Sequence, residues 1–343
     1  MDGAVTGPAN PDRLPVGLTT SGTSYSMGLS RSGDRQRIRA RGLMDRALEL
    51  GLSGVEPPVG MLDGEDLEAL GGYAFDSGLF VVIDTGGYEP ERVTPAIETA
   101  VRIGAPTVRT VVRGARIGGD RRPLAGRWRP FLDTVLDGLR RCVEVAERAG
   151  VTLAVENHQD LASEELLWLH DSIDSAHFGI TLDTANPLAT AEEPLDYFRR
   201  VALAVRHVHL KDYQVWPSEE GYRLVRCAVG DGLTDFPALL KILGPPRPGL
   251  TMSLELGALE ARHIRVLADD FWPDYPARSA AQLAAALAVV RANERTGEWR
   301  TPYERKESAE AIAAYEDDQL ARSVRYLQTL FGGSDGKTIR IRN

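Results

Sequence analysis

Three things are scarce in this chain, and each scarcity removes a class of function. It has only two cysteines, Cys142 and Cys227. That is too few for a disulfide framework, and Cys142 falls on the apolar side of a helical pattern, where a buried free thiol is expected. No run of about 18 apolar residues exists, and Met1–Arg13 has no hydrophobic signal core, so a cytoplasmic protein that makes no use of membranes is expected. Basic charge is not in excess either: 40 Lys and Arg stand against 49 Asp and Glu, for a net charge of −9. This balance argues against a nucleic-acid partner. What remains is a soluble globular composition, 43% hydrophobic and 26% charged. The length suits one full-sized α/β barrel as well as two smaller domains.

The periodicity decides between them. Short apolar runs at Val16–Thr20, Gly54–Glu56, Leu79–Asp84, Thr107–Val112, Val151–Glu156, Phe178–Asp183, Arg206–Asp212 and Leu250–Leu256 read as strands. Helical patterns separate them at Ile38–Leu50, Glu65–Gly78, Pro95–Ile103, Phe131–Ala149, Ser163–His170, Pro194–Val205 and Thr234–Leu243. Thr94 is the expected cap of the third helix, with Pro95 as its first residue. Eight strands alternating with seven helices point to a (β/α)8 TIM barrel. Tyr213–Gly232 is a hairpin-like insertion. Ser279–Asn293 and Tyr303–Leu330 are extra C-terminal helices, one of which would complete the barrel. The expected layout is a flexible arm over 1–14, a catalytic barrel over 15–300, and a helical extension and tail over 301–343.

Chemistry-bearing residues recur at equivalent points. Glu156, Asp183, His209 and Glu255 sit at or near the C-terminal ends of four consecutive strands, 27, 26 and 46 residues apart. The first two spacings fit one βα unit, and the third holds a unit plus the insertion. Neighbouring strands of a barrel bring such ends together at the catalytic face. Three converging carboxylates repel in a low dielectric unless a cation joins them. Three carboxylates and an imidazole suit one divalent metal ion, Mn2+ first, with Mg2+, Co2+ or Zn2+ as alternatives.

The stretches LAVENHQD, GITLDTAN, RHVHLKD and SLELG resemble the metal-site motifs of the xylose-isomerase-like barrels, the sugar phosphate isomerase/epimerase group. The resemblance spans about residues 16 to 257. It implies that Glu156, Asp183, His209 and Glu255 hold the metal, and that Glu156 and Glu255 are the acid/base pair. It also implies a keto sugar as substrate, with a proton taken from beside the carbonyl to give an enediolate that the metal stabilises. Asn186 stands where many members carry a histidine. It can bond a sugar hydroxyl but is a poor ligand for a further metal. Arg226 is the candidate for the substrate arginine that epimerases carry after the seventh strand.

His158 lies two residues beyond Glu156 and is a candidate general base. Its other reading is a side chain that orients Glu156. The Glu-x-His pair resembles the catalytic subunits of the C-glycoside deglycosidases, which act on 3-oxo-glycosides and pair with a small β-sandwich subunit. That resemblance implies a lyase as the alternative activity and a hetero-oligomer in place of a homo-oligomer. Lys211, Asp212 and Tyr25 are further substrate candidates, and ion pairing is the other reading for Lys211 and Asp212. Glu56 lines the mouth or makes a structural bond, and Arg109 is expected to pair with acidic neighbours. Two other classes stay open, an abasic-site endonuclease and a non-catalytic sugar-binding barrel.

Overall fold

The computed structural model describes residues 13–245 and 247–332. Its elements run β1 (Leu14–Thr19), α1 (Ala40–Glu49), β2 (Leu52–Glu56), α2 (Leu67–Asp76), β3 (Phe80–Asp84), α3 (Pro90–Ile103), β4 (Thr107–Thr110), α4 (Trp128–Ala149), β5 (Thr152–Glu156) and α5 (Ser163–Ile173). They continue with β6 (Phe178–Asp183), α6 (Pro194–Val201), β7 (Val205–Leu210), β8 (Tyr213–Ser218), β9 (Gly221–Arg226), α7 (Phe236–Leu243), β10 (Thr251–Leu254), β11 (Arg262–Ile264), α8 (Ala280–Ala292) and α9 (Ala309–Gly332). The expected arm and the tail Lys337–Asn343 lie outside the described residues, apart from Arg13 and Leu14. Leu14 already belongs to the first strand.

Eight parallel strands close into a barrel in the order β1, β2, β3, β4, β5, β6, β7, β10. The fold is a (β/α)8 TIM barrel. β8 and β9 form the hairpin expected in the insertion, and β11 adds to it antiparallel.

Side chains alternate across each strand. The outward set is apolar: Leu18, Val55, Val81, Ile83, Val108, Leu153, Val155, Ile180, Leu182, Val208, Leu210 and Leu254 are buried against the helices. The inward set is polar towards the C-terminal ends, with Glu56, Arg109, Glu156, Thr181, Asp183, His207, His209 and Ser253 all buried. The opposite end is plugged by Phe80. Its ring fills the place where a Cβ on Gly54 would stand, so that position has room only for glycine. Barrel interiors are ordinarily filled by branched apolar residues. Here the upper layers hold charge, which needs partners or a ligand.

Two helical expectations change. α3 starts at Pro90, with Glu89 as N-cap, five residues before the expected start. Pro90 takes the first-turn position that suits proline. Pro95 lies on the exposed side of the helix, away from the buried Val93, Ala96, Ile97 and Ala100. The last helix begins at Ala309, not Tyr303. Leu320, Val324 and Leu327 of α9 join the barrel's own core, so α9 is the eighth barrel helix although it lies beyond the expected division at 301. α8 packs instead on the hairpin, where Ala286 and Val290 meet Tyr213, Val215, Tyr222 and Leu224.

Candidate active site

The barrel brings together all four expected ligands. Asp183 on β6 faces His209 on β7 across the ladder. His209 Nδ1 lies 2.6 Å from Glu255 Oε2 and 3.7 Å from Glu156 Oε2. Single donor atoms of Glu156, Asp183 and His209 all lie within 4.8 Å of one another. The quartet is sealed from solvent: Glu255 is its most exposed member, at 6%.

Two permanent cations enter the cluster. Lys211 Nζ lies 2.5 Å from Asp183 Oδ2 and 2.6 Å from Glu255 Oε1. Arg109, reaching in from β4, places Nη1 2.8 Å from Asp84 Oδ1 and Nε 3.1 Å from Glu156 Oε2. Its Nε also lies 3.5 Å from Glu56 Oε1. The expected acid pairing of Arg109 is therefore found, and Lys211 joins the quartet directly. Five carboxylates, from Glu56, Asp84, Glu156, Asp183 and Glu255, face these two cations. Fully ionised, the five carboxylates would outnumber these two cations.

The protonation states follow from this crowding. Burial alone would raise every acid here. It does raise Asp183, in spite of Lys211, and it pushes Asp84 up to about 6, helped by the neighbouring carboxylates and opposed by Arg109. Glu255 goes the other way: burial is overcome by Lys211 and His209, which hold it below the usual carboxylate range. Burial is likewise overcome at Glu56, which His209 and His207 hold well below that range. His209 is raised well above an ordinary imidazole because Glu56 and Glu255 outweigh its burial.

Three of the four expected ligands each leave one buried atom with no hydrogen-bond partner: Glu156 Oε2, His209 Nδ1 and Glu255 Oε2. The last two approach each other to 2.6 Å as an ion pair. Buried polar atoms are rarely left without a hydrogen bond. These atoms, together with Asp183, make an oxygen-rich donor set that fits a divalent cation once His209 gives up its Nδ1 proton.

The other candidates divide. Asn186 Nδ2 donates to Asp183 Oδ2 at 2.7 Å, and its Oδ1 is buried without a partner. It belongs to the site. Asn157, next to Glu156 in the LAVENHQD stretch, brackets the Asp183 backbone, donating to its carbonyl at 3.0 Å and accepting from its N–H. His158 lies past the end of β5, with 35% of its side chain exposed and Nδ1 3.6 Å from Asp160 Oδ1. Burial works to lower this imidazole, but Asp160 and Glu156 prevail and raise it.

Asp212 turns away from the mouth. Its carboxylate accepts from the backbone N–H groups of Tyr213, Gly230, Gly232 and Thr234, so it ties down the loop after the hairpin. Arg226 is buried and donates from Nε to Gln319 of α9 at 2.7 Å. Tyr25 is anchored through its backbone N–H to Glu316 and meets Tyr303 edge-on. The aromatic stretch Phe271–Tyr275 folds over the loop after β4, where Arg121 is held between the rings of Trp128 and Tyr275.

Residues 44–269 match the family model described as xylose isomerase-like TIM barrel. The chain belongs to this family. Among curated relatives, the uncharacterized protein YihM of Escherichia coli (strain K12) is 27% identical over 251 residues, covering 70% of this chain and 72% of that protein. The 3-oxo-isoapionate decarboxylase of Pectobacterium atrosepticum is 26% identical over 196 residues, covering 57% and 67%. Solved structures share the fold. The IolI protein with a bound zinc atom superimposes with a TM-score of 0.55 at 13% identity, over 92% of this chain and 99% of that one. The 3-keto-D-glucoside 4-epimerase YcjR of E. coli gives 0.53 at 17% identity, over 82% and 100%. Among the described residues, no helix is long and apolar enough to cross a membrane.

Proposed function

We propose that this barrel is a divalent-metal-dependent enzyme that removes a proton from the carbon beside the carbonyl of a keto sugar, with an isomerase or epimerase outcome. The observation that carries the reading is the convergence of three buried atoms that make no hydrogen bond, Glu156 Oε2, His209 Nδ1 and Glu255 Oε2, where three barrel strands end. Asp183 completes the set that would hold the ion. The oxygen-rich donors favour Mn2+, with Mg2+, Co2+ or Zn2+ as alternatives. When bound, the ion supplies Lewis acidity that polarises the carbonyl.

The chain's own groups do the rest. His158 is the site's accessible imidazole and sits beside Asp160, which steadies its charged form. It is suited to take the proton and hold it at a ring nitrogen. Glu156 and Glu255 are the alternative acid/base pair. Lys211 holds Glu255 and Asp183 in place and puts a positive charge beside any oxyanion formed there. The free Oδ1 of Asn186 can accept from a substrate hydroxyl.

A second reading keeps the same first step and changes the fate of the carbanion. Expulsion of a β-substituent would make a 3-oxo-glycoside lyase of the C-glycoside deglycosidase kind. A decarboxylase would reach the same enediolate from a β-keto acid by losing carbon dioxide in place of the proton, and would then protonate that carbon. The similarity to 3-oxo-isoapionate decarboxylase supports this branch.

Metal content by mass spectrometry tests the shared part. About one equivalent, lost in Glu156→Gln and kept in His158→Ala, is expected. The His158→Ala protein should also fail to exchange deuterium from D2O into a 3-keto sugar that the wild type labels. A wild-type protein that takes up no Mn2+ when it is supplied would refute the reading.

A further inference from the structure

His209 has a second side, and its partners there form a closed chain. His209 Nε2 lies 2.9 Å from Glu56 Oε1. His207 Nε2 lies 2.9 Å from Glu56 Oε2, and His207 Nδ1 lies 2.7 Å from Thr251 Oγ1. The strands dictate this meeting. His207 and His209 are two apart on β7 and therefore share its inward side. Thr251 on β10 is the ladder neighbour of His207. Glu56 ends β2 on the far side of the barrel and reaches both rings.

Glu56 is 1% exposed and both histidines are fully buried, so these groups must satisfy one another. A carboxylate set 2.9 Å from two imidazole nitrogens serves as their acceptor, so each Nε2 carries a hydrogen donated to Glu56. His207 Nδ1 is then the acceptor for the Thr251 hydroxyl. With Nε2 committed to Glu56, Nδ1 is the nitrogen of His209 that faces Glu156 and Glu255. Arg109 Nε, 3.5 Å from Glu56 Oε1, tethers the carboxylate a third way.

We propose that Glu56 is a positioning residue for the cation site: backed by His207 and Thr251, it fixes the ring plane of His209 and keeps its Nε2 protonated, so that Nδ1 is held towards the ligand carboxylates. The proposal rests on the metal reading above. It adds that the site's affinity depends on a carboxylate that is not itself a ligand. A histidine that gives its far N–H to a carboxylate is a better oriented and more basic ligand.

The test uses the full chain, with Mn2+ and Zn2+ as probes. Mn2+ affinity is read from the electron paramagnetic resonance of the free ion. The imidazole N–H groups are read by 1H–15N correlation in metal-free and Zn2+-loaded protein. Glu56→Gln should weaken Mn2+ binding by about 10- to 100-fold. Thr251→Val, at the far end of the chain of bonds, should weaken it less and in the same direction. The wild type should show a slowly exchanging Nε2–H for His209 in both forms, shifted or lost in Glu56→Gln. Unchanged affinity and an unchanged resonance in Glu56→Gln would overturn the proposal, even if that variant melts earlier, because packing alone then explains Glu56. Should Glu56→Gln fail to fold, Thr251→Val with unaltered affinity would overturn it. A wild type that binds no Mn2+ would sink the metal reading and the affinity claim with it. The His209 resonance in metal-free protein would still show whether Glu56 holds the ring.

Discussion

The ammonium of Lys211 lies 2.6 Å from Oε1 of Glu255. The same ammonium is 2.5 Å from Asp183, so one lysine holds two of the four expected ligands. Burial would strip its proton, but the two carboxylates outweigh burial and keep it charged. Lys211→Met leaves two buried carboxylates without their cation. Breaking such a pair costs on the order of 3–5 kcal/mol. We expect the metal-free variant to unfold at clearly lower urea than the wild type. Added Mn2+ should then restore more stability to the variant than it adds to the wild type. Equal Mn2+ shifts in calorimetric melts would show that Lys211 and the ion do not answer the same charge.

Arg109 has a comparable role on the opposite wall. It touches Asp84, Glu56 and Glu156, which come from three different strands. Its forked guanidinium can serve several acceptors at once, which a point charge cannot. Arg109→Met is expected to lose on the order of 3–5 kcal/mol. Arg109→Lys should lose a smaller amount, since it restores charge but not the fork. Urea midpoints of the two variants, measured without metal, check the order. An Arg109→Lys protein as weak as Arg109→Met would mean that geometry, not charge, is what the barrel needs there.

The pH dependence of stability should carry the mark of Asp84. Its carboxyl is pushed up to about 6 by burial, against Arg109 and with the neighbouring acids. An unfolded aspartate titrates near 3.9. The native state therefore binds this proton more tightly than the unfolded state, and this group stabilises the fold as pH falls from about 6 towards 4. Above pH 6 that contribution is absent. A proton held about a hundredfold more tightly is worth about 2–3 kcal/mol. Urea unfolding of metal-free wild type and Asp84→Asn between about pH 8 and about pH 4.5 isolates it. The wild type should gain on the variant as the pH drops. Parallel curves would show that Asp84 is already ionised throughout.

The barrel and its quartet are legible in the sequence because both obey a period. Each strand is marked by a short apolar run, and a new strand arrives with every βα unit, so Glu156, Asp183, His209 and Glu255 stand out as equivalent positions near the strand ends. Glu56, Asp84 and Arg109 obey the same inward alternation. Each is a lone charge on its strand, so the sequence can point to Glu56 at the mouth and to acid pairing of Arg109 but cannot name the partners, and Asp84 goes unmarked. Their partners lie across the barrel. Glu56 and His209 are 153 residues apart in the chain, and Arg109 meets Glu156 only through the pairing of β4 with β5. Closure of the barrel is what brings them together. The sequence leaves open which of α8 and α9 completes the barrel for a similar reason. Both segments are rich in alanine and leucine, and only tertiary packing shows that Leu320, Val324 and Leu327 fill the last barrel slot while α8 covers the hairpin.

Asp212 shows how a residue beside the site can be misread. It follows His209 and Lys211 at the end of β7, where a carboxylate suits a sugar. The structure uses it on four backbone N–H groups, at 3.0 Å from Tyr213, 3.1 Å from Gly230, 2.9 Å from Gly232 and 3.1 Å from Thr234. Gly232 approaches so closely that a Cβ there would collide with the Asp212 carboxylate. Asp212→Asn keeps the shape but replaces one acceptor oxygen with a donor, which leaves two backbone N–H groups facing an NH2. The expected loss is about 1–3 kcal/mol in urea unfolding. Mn2+ affinity should be unchanged, because the loop and not the quartet is released. If stability held and only KM rose, Asp212 would be a substrate ligand after all, and the loop would need another anchor.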